Sequence, residues 1–380
     1  MCTEWKTYEL GTLLSYEQPT AYIVESTDYN DNYQTPVLTA GKSFIIGYTN
    51  ETSGIYKSLP VIIFDDFTTS SQYVNFPFKV KSSAMKILSP NTELVLPKFI
   101  YYRMQIIQFD HSTHKRYWIQ QYSKIKVKIP PIPEQERIIC KIEELFSKLD
   151  ASVAELKTAK EKLKVYRQAV LKEAFDSVQA NSKRVTIKSV CETIKVGIVI
   201  KPTQYYVEQG GVFAFRNANV RRNYIEDKDW AMISQEGHQK NLKSQVHIGD
   251  VLIARSGVNL GMAATVPQKY DGYNAIDVVI AVPKKEFILS QYLAQYTNSP
   301  YGLEIVRKNQ HGAAQGHLNV KEYGNLPIFL PNIPEQYSLL KKIESRLSVC
   351  DNIEQTIDTS LQQAEALRQS ILKQAFEGEM

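Results

Sequence analysis

The chain has 380 residues, 43% of them hydrophobic, which is enough for two or three domains with substantial cores. It has no run of about 18 apolar residues that could span a membrane, and its first residues lack the basic and apolar regions of a secretion signal. The formal charge of +5 permits nucleic-acid binding without requiring it, and four scattered cysteines without zinc-ligand spacing favour a cytoplasmic location.

Residues 1–129 are predicted to form a first globular domain. Short runs of aromatic and β-branched residues alternate there with clusters of Gly, Asn, Asp, Ser and Thr, which is typical of strands and turns. A helix is predicted over 99–108, after Pro97.

Residues 130–177 predict a long helix, which residues 332–380 repeat. Ile132-Pro133-Glu134-Gln135 returns 201 positions later as Ile333-Pro334-Glu335-Gln336, and roughly a third of the aligned positions from 130 to 175 are identical without a gap. Pro133 suits a first helical turn but not a helix interior. We therefore predict an internal duplication; two unrelated amphipathic helices are the alternative.

Apolar residues recur in both predicted helices in alternating steps of three and four, the spacing of a coiled coil. We call the line along which the two helices would contact each other the seam. A pseudo-twofold axis relating the two copies would make the helices antiparallel, with one globular domain at each end. The predicted seam residues are Ile138, Ile142, Leu145, Leu149, Leu156, Leu163, Val170, Leu339, Ile343, Ile353, Ile357, Leu367 and Ile371.

Residues 178–331 are predicted to form a second globular domain on the plan of the first. The run 249–254 parallels the run 60–65 as a buried strand, and a helix over 289–297 parallels the helix near 99. The sequence therefore predicts an α+β fold, in which two globular α/β domains are separated by two long helices that pair as an antiparallel, pseudo-twofold symmetric coiled coil. Two diverged domains with repeated helices indicate two different targets and one common partner.

The sequence contains no convincing catalytic motif. Gly41-Lys42-Ser43 lacks the earlier glycine of a phosphate-binding loop, since Pro36 stands in its place. Asp65 and Asp66 favour a turn or a structural pair over a metal site, because adjacent strand residues point to opposite faces. The six histidines, including His311 and His317, show no ligand spacing.

Polar and basic loops remain as candidate DNA contacts in both domains. Arg and Lys can pair with guanine edges, Asn and Gln with adenine edges, and hydroxyl groups with phosphates; ordinary solvated turns are the alternative for each loop. The candidates in the first domain are Thr39, Gly41, Lys42, Ser43, Thr68, Thr69, Ser70, Ser71, Lys79, Lys81 and Ser82. Those in the second domain are Arg216, Asn217, Asn219, Arg221, Arg222, Arg255, Ser256, Asn259, Gln310, His311, Gln315 and His317.

The chain resembles the specificity subunits of Type I restriction–modification systems. The resemblance spans essentially the whole chain and rests on two domains, each followed by a helix that opens with Pro131-Ile132-Pro133-Glu134-Gln135 or Asn332-Ile333-Pro334-Glu335-Gln336. Gly249-Asp250-Val251-Leu252 and the run 315–319 are also similar to that family. Asn332 departs from the pattern, because the first copy has Pro131 there.

The resemblance implies two target-recognition domains, 1–129 and 178–331, and two coiled-coil helices, 130–177 and 332–380. It implies a noncatalytic subunit that binds a bipartite double-stranded DNA target, one half per domain. Two methyltransferase (modification) subunits would methylate adenine with S-adenosylmethionine, and motor-nuclease (restriction) subunits would cleave DNA with ATP and Mg²⁺. No cofactor is expected in this chain itself.

Two other classes of function stay open on the sequence alone. One is a coiled-coil scaffold without a nucleic-acid role, which would bind DNA without sequence preference or salt dependence. The other is a fused DNA-modifying enzyme with an unrecognised active site, for which the isolated chain would transfer methyl groups or cleave DNA.

Overall fold

The structure is a computed structural model and describes residues 4–41, 43–109, 116–308 and 317–377. It divides into two compact units: unit 1 comprises Met1–Leu156 and Asp358–Met380, and unit 2 comprises Lys157–Ile357. The boundary crosses both long helices, so each unit combines a globular domain with parts of both. The four-part division made from the sequence stays a prediction.

The globular part of unit 1 contains short strands and helices. Its strands are β1 (Lys6–Glu9), β2 (Leu14–Glu17), β3 (Thr35–Leu38), β4 (Ile45–Thr49), β5 (Val61–Asp65), β6 (Ser71–Val74), β7 (Lys79–Val80), β8 (Met85–Pro90) and β9 (Lys126–Ile129). Its helices are α1 (Leu10–Leu13), α2 (Pro97–Met104) and α3 (Tyr117–Gln120), and the chain then enters the long helix α4 (Ile132–Gln179). The sheets have the strand orders β2-β8-β5-β6, β4-β3-β7 and β1-β9.

The globular part of unit 2 has the same plan. Its strands are β10 (Lys183–Thr186), β11 (Cys191–Val196), β12 (Val212–Phe215), β13 (Ala231–Ile233), β14 (Val251–Ala254), β15 (Ala263–Thr265), β16 (Asn274–Ala275), β17 (Val278–Pro283) and β18 (Pro327–Leu330). Its helices are α5 (Gln235–Lys240), α6 (Ser290–Asn298), α7 (Pro300–Lys308) and α8 (Val320–Gly324), and the long helix α9 (Ile333–Glu377) follows. The strand orders β11-β17-β14-β15, β13-β12-β16 and β10-β18 repeat those of unit 1 and confirm the parallel predicted between the two domains.

The apolar runs of β5 and β14 explain how each domain is layered. Alternate residues of a strand point to opposite faces of the sheet. In β5, Ile62 and Phe64 join a cluster with Phe99 of α2, whereas Val61 and Ile63 join a second cluster with Leu38 of β3. The residues of β14 divide in the same way between two clusters. Each run is apolar throughout because both of its faces are covered, by a helix and by the second sheet.

The glutamine of each repeated motif joins a long helix to a domain. Gln135 is fully buried; its Oε1 accepts from Leu96 N at 2.7 Å, and its Nε2 donates to the carbonyls of Leu94 (3.0 Å) and Pro130 (2.9 Å). These bonds fix the start of α4 against the residues that lead into α2. A buried side-chain amide keeps its position only with such partners, since an unmet polar group costs about 1–3 kcal/mol.

Gln336 makes the same three bonds in unit 2. Its Oε1 accepts from Leu289 N at 2.9 Å, and its Nε2 donates to the carbonyls of Phe287 (2.8 Å) and Pro331 (2.9 Å). Leu289 leads into α6, as Leu96 leads into α2. The shared Pro-Glu-Gln sequence is therefore explained by a shared helix-to-domain joint.

The repeated phenylalanine near the end of each long helix packs on a domain helix. Phe175 of α4 contacts Tyr292 of α6 in unit 2, with ring centroids 5.4 Å apart, and Phe376 of α9 contacts Phe99 of α2 in unit 1 at 5.2 Å. Each domain helix is thus held near the start of one long helix and the end of the other.

The two long helices pack antiparallel in each unit taken separately. In unit 1, Ile138 and Ile142 near the start of α4 share a cluster with Ile371 near the end of α9. In unit 2, Phe175 near the end of α4 shares a cluster with Leu339 and Ile343 near the start of α9. The predicted α+β fold with a pair of long helices is confirmed.

Two predicted seam positions differ in the structure. Ile353 and Leu367 are 44% and 51% exposed, whereas their neighbours Glu354 and Arg368 are half-buried and pair with charges on the opposite helix. Heptad counting chose the apolar residue at each step, but a charged residue one position later faces the other helix. The other predicted seam residues are buried or half-buried: Ile138, Ile142, Leu145, Leu149, Leu156, Leu163, Val170, Leu339, Ile343, Ile357 and Ile371.

The helices of the described ranges include none that is both long enough and apolar enough to pass through a membrane.

Candidate nucleic-acid interface

Three predicted loops of unit 1 lie together at one edge of its sheets. Strands β3 and β7 pair in parallel, with Leu38 opposite Val80, so the loops that follow them leave at the same edge. Lys81 N then donates to Leu38 O at 3.1 Å, and Asp66 N donates to Ala84 O at 3.1 Å. These bonds bring together residues 39–41 and 43, the β5–β6 turn at 66–70 and residues 81–84, which we call surface 1.

The equivalent loops of unit 2 also converge. Arg255 N donates to Asn217 Oδ1 at 2.8 Å, and Asn259 Nδ2 donates to Asn217 O at 2.9 Å. Leu318 N donates to Arg255 O at 2.9 Å, which places His317 beside the same turn. We call residues 216–222, 255–259 and 317 surface 2. The loops come from distant parts of the sequence and meet through these hydrogen bonds. The parallel pairing of β12 and β16, like that of β3 and β7, brings Asp277 to the same edge.

A polar cluster forms the centre of surface 2. Asn217 Nδ2 donates to Ser256 Oγ (2.8 Å) and Asp277 Oδ2 (3.2 Å), and Arg255 Nη1 lies 3.4 Å from Asp277 Oδ1. Asp277 adopts a φ of +53°, an uncommon backbone conformation for a residue other than glycine. The cluster holds Arg255, whose side chain suits a guanine edge, whereas Asn217 uses its amide within the cluster.

Two buried arginine nitrogens of surface 2, Arg216 Nε and Arg255 Nε, make no hydrogen bond within the described part of the chain. A buried donor without a partner is costly, so a bound acceptor would stabilise this arrangement. Phosphate oxygens and base edges are acceptors of that kind.

Comparison with known proteins gives the family. No family model matches the sequence. The chain is 32% identical over 379 residues to the Type I restriction enzyme EcoR124I/EcoR124II specificity subunit of Escherichia coli, over 96% of this chain and 91% of that protein. The chain belongs to the Type I restriction enzyme specificity subunits. It is also 26% identical over 274 residues to the EcoBI specificity subunit of Escherichia coli, over 66% of this chain and 58% of that protein.

Solved structures support the same fold for this specificity subunit. One chain from a study of complex assembly and conformational transition of the type I R-M system matches with a TM-score of 0.71 and 17% identity, over 99% of this chain and 98% of that chain. The HsdS subunit from Thermoanaerobacter tengcongensis matches with a TM-score of 0.52 and 16% identity, over 99% of this chain and 97% of that chain. At these identities the likeness concerns the fold.

Two residues predicted as DNA contacts in unit 1 have structural roles instead. Lys79 is 2% exposed, donates from Nζ to Ser53 O at 2.8 Å and pairs with Glu51 at 2.7 Å. Ser71 is buried in β6, and its Oγ accepts from Gln105 Nε2 at 2.9 Å. Both predictions were wrong, because polar residues of a strand can be satisfied inside the domain.

Two asparagines of unit 2 are likewise structural. Asn219 is fully buried; its Oδ1 accepts from Arg216 N at 2.9 Å, and its Nδ2 donates to the carbonyls of Glu226 (3.2 Å) and Lys228 (2.8 Å). Asn259 is also buried, and its Nδ2 donates to Asn217 O. Both side chains are buried and bonded inside the domain, contrary to the predicted DNA contacts. Their role is to fix the loops that carry Arg216 and Arg255.

The remaining candidates differ in how far the structure places them. Ser43, Thr68, Ser70, Lys81, Arg222 and His317 are exposed, while Thr39, Gly41, Thr69, Ser82, Arg216, Asn217, Arg221, Arg255 and Ser256 are half-buried. Arg221 Nε lies 3.5 Å from Glu226 Oε2, and this carboxylate partly neutralises the charge of the arginine. Lys42, Gln310, His311 and Gln315 lie outside the described residues.

The β5–β6 turn of surface 1 is shaped by its two aspartates. Asp65 Oδ1 accepts from Phe67 N (2.9 Å) and Thr68 N (2.8 Å). Asp66 is buried, lies 3.4 Å from Lys86 Nζ and accepts from Trp118 N at 2.8 Å. The interpretation of this pair as structural is confirmed. Across the described residues, no group of three or more His, Cys, Asp or Glu side chains could hold a metal ion.

Sequence reasoning missed Arg116. This exposed arginine precedes Tyr117, whose N donates to Asp66 O at 2.9 Å, so Arg116 lies beside the turn of surface 1. No local pattern marks it, because its position depends on a contact between residues that are 51 apart. Asp277 was missed for a similar reason, since only the fold brings it to Arg255 and Asn217.

Proposed function

We propose that this chain is the DNA sequence-recognition subunit of a Type I restriction–modification enzyme, and that surfaces 1 and 2 each bind one half of a bipartite double-stranded DNA target. The observation that carries the proposal is that polar loops converge after equivalent strands in both units: after β3 and β5 in unit 1, and after β12 and β14 in unit 2. Family membership supports the same conclusion.

The chemistry of surface 2 suits base recognition. Arg216 and Arg255 supply donors in fixed positions, held by the buried amides of Asn219 and Asn259, and Asn217 supports Arg255 through its own hydrogen bonds. Fixed polar groups favour specificity, because a wrong base leaves a buried donor or acceptor unmet. Surface 1 offers hydroxyl groups and the exposed cations Lys81 and Arg116, which suit phosphates as well as base edges.

The proposal includes the partners expected of a specificity subunit. Two methyltransferase (modification) subunits would bind this chain and methylate adenine in each half of the target with S-adenosylmethionine. Motor-nuclease (restriction) subunits would join the complex and cleave unmodified DNA with ATP and Mg²⁺. The long helices, repeated in sequence, offer each modification subunit an equivalent binding face.

The test is the methylome of host cells with and without this chain, in the presence of the modification subunits. We expect adenine methylation at one bipartite sequence that disappears when the chain is absent. Arg255→Gln should reduce methylation at that sequence, because it removes a cation from surface 2. Lys240→Gln is the matched control, since Lys240 is exposed on α5 and pairs with Glu236 of the same helix. An unchanged methylome without the chain would contradict the proposal.

A further inference from the structure

Each unit carries an exposed apolar side chain in the turn of the equivalent hairpin. Phe67 lies in the turn between β5 and β6, and Val258 lies in the turn between β14 and β15. These strands occupy the third and fourth positions in sheets of the same order. Val258 is 96% exposed and Phe67 is 44% exposed.

Neither the Val258 nor the Phe67 side chain contributes to the packing of a hydrophobic core in the described part of the chain. Within the described ranges, neither packs against a hydrophobic cluster of its unit. Turns of this kind usually contain Gly, Asn, Asp or Ser, which suit the backbone or bond to it. One exposed apolar residue is ordinary on a protein surface, and two in equivalent turns of diverged domains point to a shared role.

The turn around Val258 is rigid. Leu260 N donates to Gly257 O at 3.2 Å, Gly261 N donates to Ala254 O at 2.8 Å, and the buried Asn259 is bonded to Asn217. Gly257 has a φ of +71°, in the left-handed region that favours glycine, and a Cβ there would meet no atom within 4 Å. The backbone therefore holds Val258 outward in open space, next to Arg255 and Ser256.

The turn around Phe67 is held by different residues to the same effect. Asp65 bonds the backbone N–H groups of Phe67 and Thr68, and the buried Asp66 anchors the turn to Lys86 and Trp118. Thr69 adopts a φ of +56°. Phe67 thus projects from surface 1, between Asp66 and the polar residues Thr68 and Ser70.

An apolar group among fixed polar groups has one partner in a stacked DNA duplex. The C5-methyl group of thymine is the apolar substituent that bases present in the major groove, and apolar side chains contact it. Resting on the proposed function, we propose that Val258 and Phe67 are specificity residues, each in contact with a thymine methyl group in the half of the target that its own surface binds.

The test uses the complex of this chain with its modification subunits and a library of DNA duplexes in which each half of the target is randomised. Val258→Ala should lower the preference for a T·A pair at one position about three- to tenfold, the range expected for loss of a small base contact. Phe67→Ala should do the same in the other half. In parent protein, replacing that thymine with uracil should reproduce the loss, since uracil lacks the methyl group.

Ile248→Ala is the matched control. Ile248 is 48% exposed and lies just before β14, at the opposite end of the strand from Val258. It should leave both halves unchanged. The inference is overturned if Val258→Ala and Phe67→Ala leave the base preferences intact, if the lost preference falls on a G·C pair, or if uracil has no effect. Parent protein without preference in either half would instead contradict the proposed function.

Discussion

Arg167 and Arg368, which are 201 positions apart in the sequence, make the same cross-helix ion pair in different units. Arg167 of α4 lies 2.6 Å from Asp351 of α9 in unit 2, and Arg368 of α9 pairs with Asp150 of α4 in unit 1. Asp150 and Asp351 are related by the same offset. Reciprocal pairs of this kind arise when duplicated helices pack antiparallel, so the duplication accounts for the charges as well as the apolar positions.

These pairs should contribute measurably but modestly to the packing of the helices. A double-mutant cycle on Arg368→Ala and Asp150→Ala should give a coupling of about 0.5–1 kcal/mol, because both side chains remain partly in solvent. The cycle on Arg167 and Asp351 should give a similar value. Urea unfolding measures both couplings.

The control cycle is Lys141 with Glu144, a pair within one turn of α4. It should give about 0.2–0.5 kcal/mol, the range of pairs on a single helix. Absence of coupling in both cross-helix cycles would mean that these charges do not act across the helix pair.

Gln135→Ala should loosen the joint between α4 and α2. The substitution leaves Leu96 N and the carbonyls of Leu94 and Pro130 without their side-chain partner, at a cost of about 3 kcal/mol. Amide hydrogen exchange should show lost protection around Leu96. Gln336→Ala should do the same around Leu289 in unit 2.

Gln374→Ala, at an exposed position of α9, is the control and should change neither region. Unaltered protection of Leu96 in Gln135→Ala would show that the buried amide does not hold the joint.

Lys79 and Lys81 are two residues apart and should behave differently. Lys81→Ala should weaken DNA binding across sequences and reduce the salt slope by about one, as expected for a lost phosphate contact. Lys79→Met should leave the salt dependence of DNA binding unchanged. It should lower the stability of unit 1, because it leaves the Glu51 carboxylate without its cation. Binding isotherms at several salt concentrations test both variants; a lower slope for Lys79→Met would restore it as a DNA contact.

The stability of unit 2 should depend on pH through Asp250. Burial raises the pKa of the Asp250 carboxyl, although its hydrogen bond from His247 N opposes the shift. Because the pKa is higher in the folded state than in the unfolded state, the charged form penalises folding above the folded pKa, and the penalty disappears as pH falls through it. The free energy of unfolding of Asp250→Asn, relative to that of the parent protein, should therefore be highest at pH 7. This difference should shrink towards pH 4.

Asp227→Asn should show the opposite trend. The hydrogen bond from Lys269 lowers the pKa of Asp227, so its stabilisation is present above the unfolded pKa and is lost as pH falls. Thermal unfolding of Asp250→Asn between pH 7 and pH 4, and of Asp227→Asn between pH 4 and pH 2, measures the two slopes. Slopes of the same sign would contradict this account of Asp250.

The duplication made much of the fold predictable. A fixed offset in Pro-Glu-Gln and in Ala-Phe located both long helices, and the matching plan of the two domains followed from equivalent apolar runs. Heptad counting erred at Ile353 and Leu367, because it follows side-chain polarity, whereas Glu354 and Arg368 face the opposite helix through ion pairs.

The two proposed binding surfaces were predictable as loops but not as sites. Polarity marked Lys79, Ser71, Asn219 and Asn259 as candidates, although each is satisfied by partners distant in sequence. The same long-range contacts bring Arg116 and Asp277 to the surfaces without any local signal. Side-chain chemistry therefore indicates which residues are able to bind DNA. The pairing of the strands determines which of them lie on the surface.

The most direct test of two independent recognition surfaces is an exchange of one globular domain, followed by sequencing of the methylome. Strands β10 and β18 pair with each other, so residues 183–330 should be exchanged as one piece for the equivalent segment of another specificity subunit. The account predicts that one half of the methylated sequence changes and the other half stays the same. A change in both halves, or in neither, would contradict it.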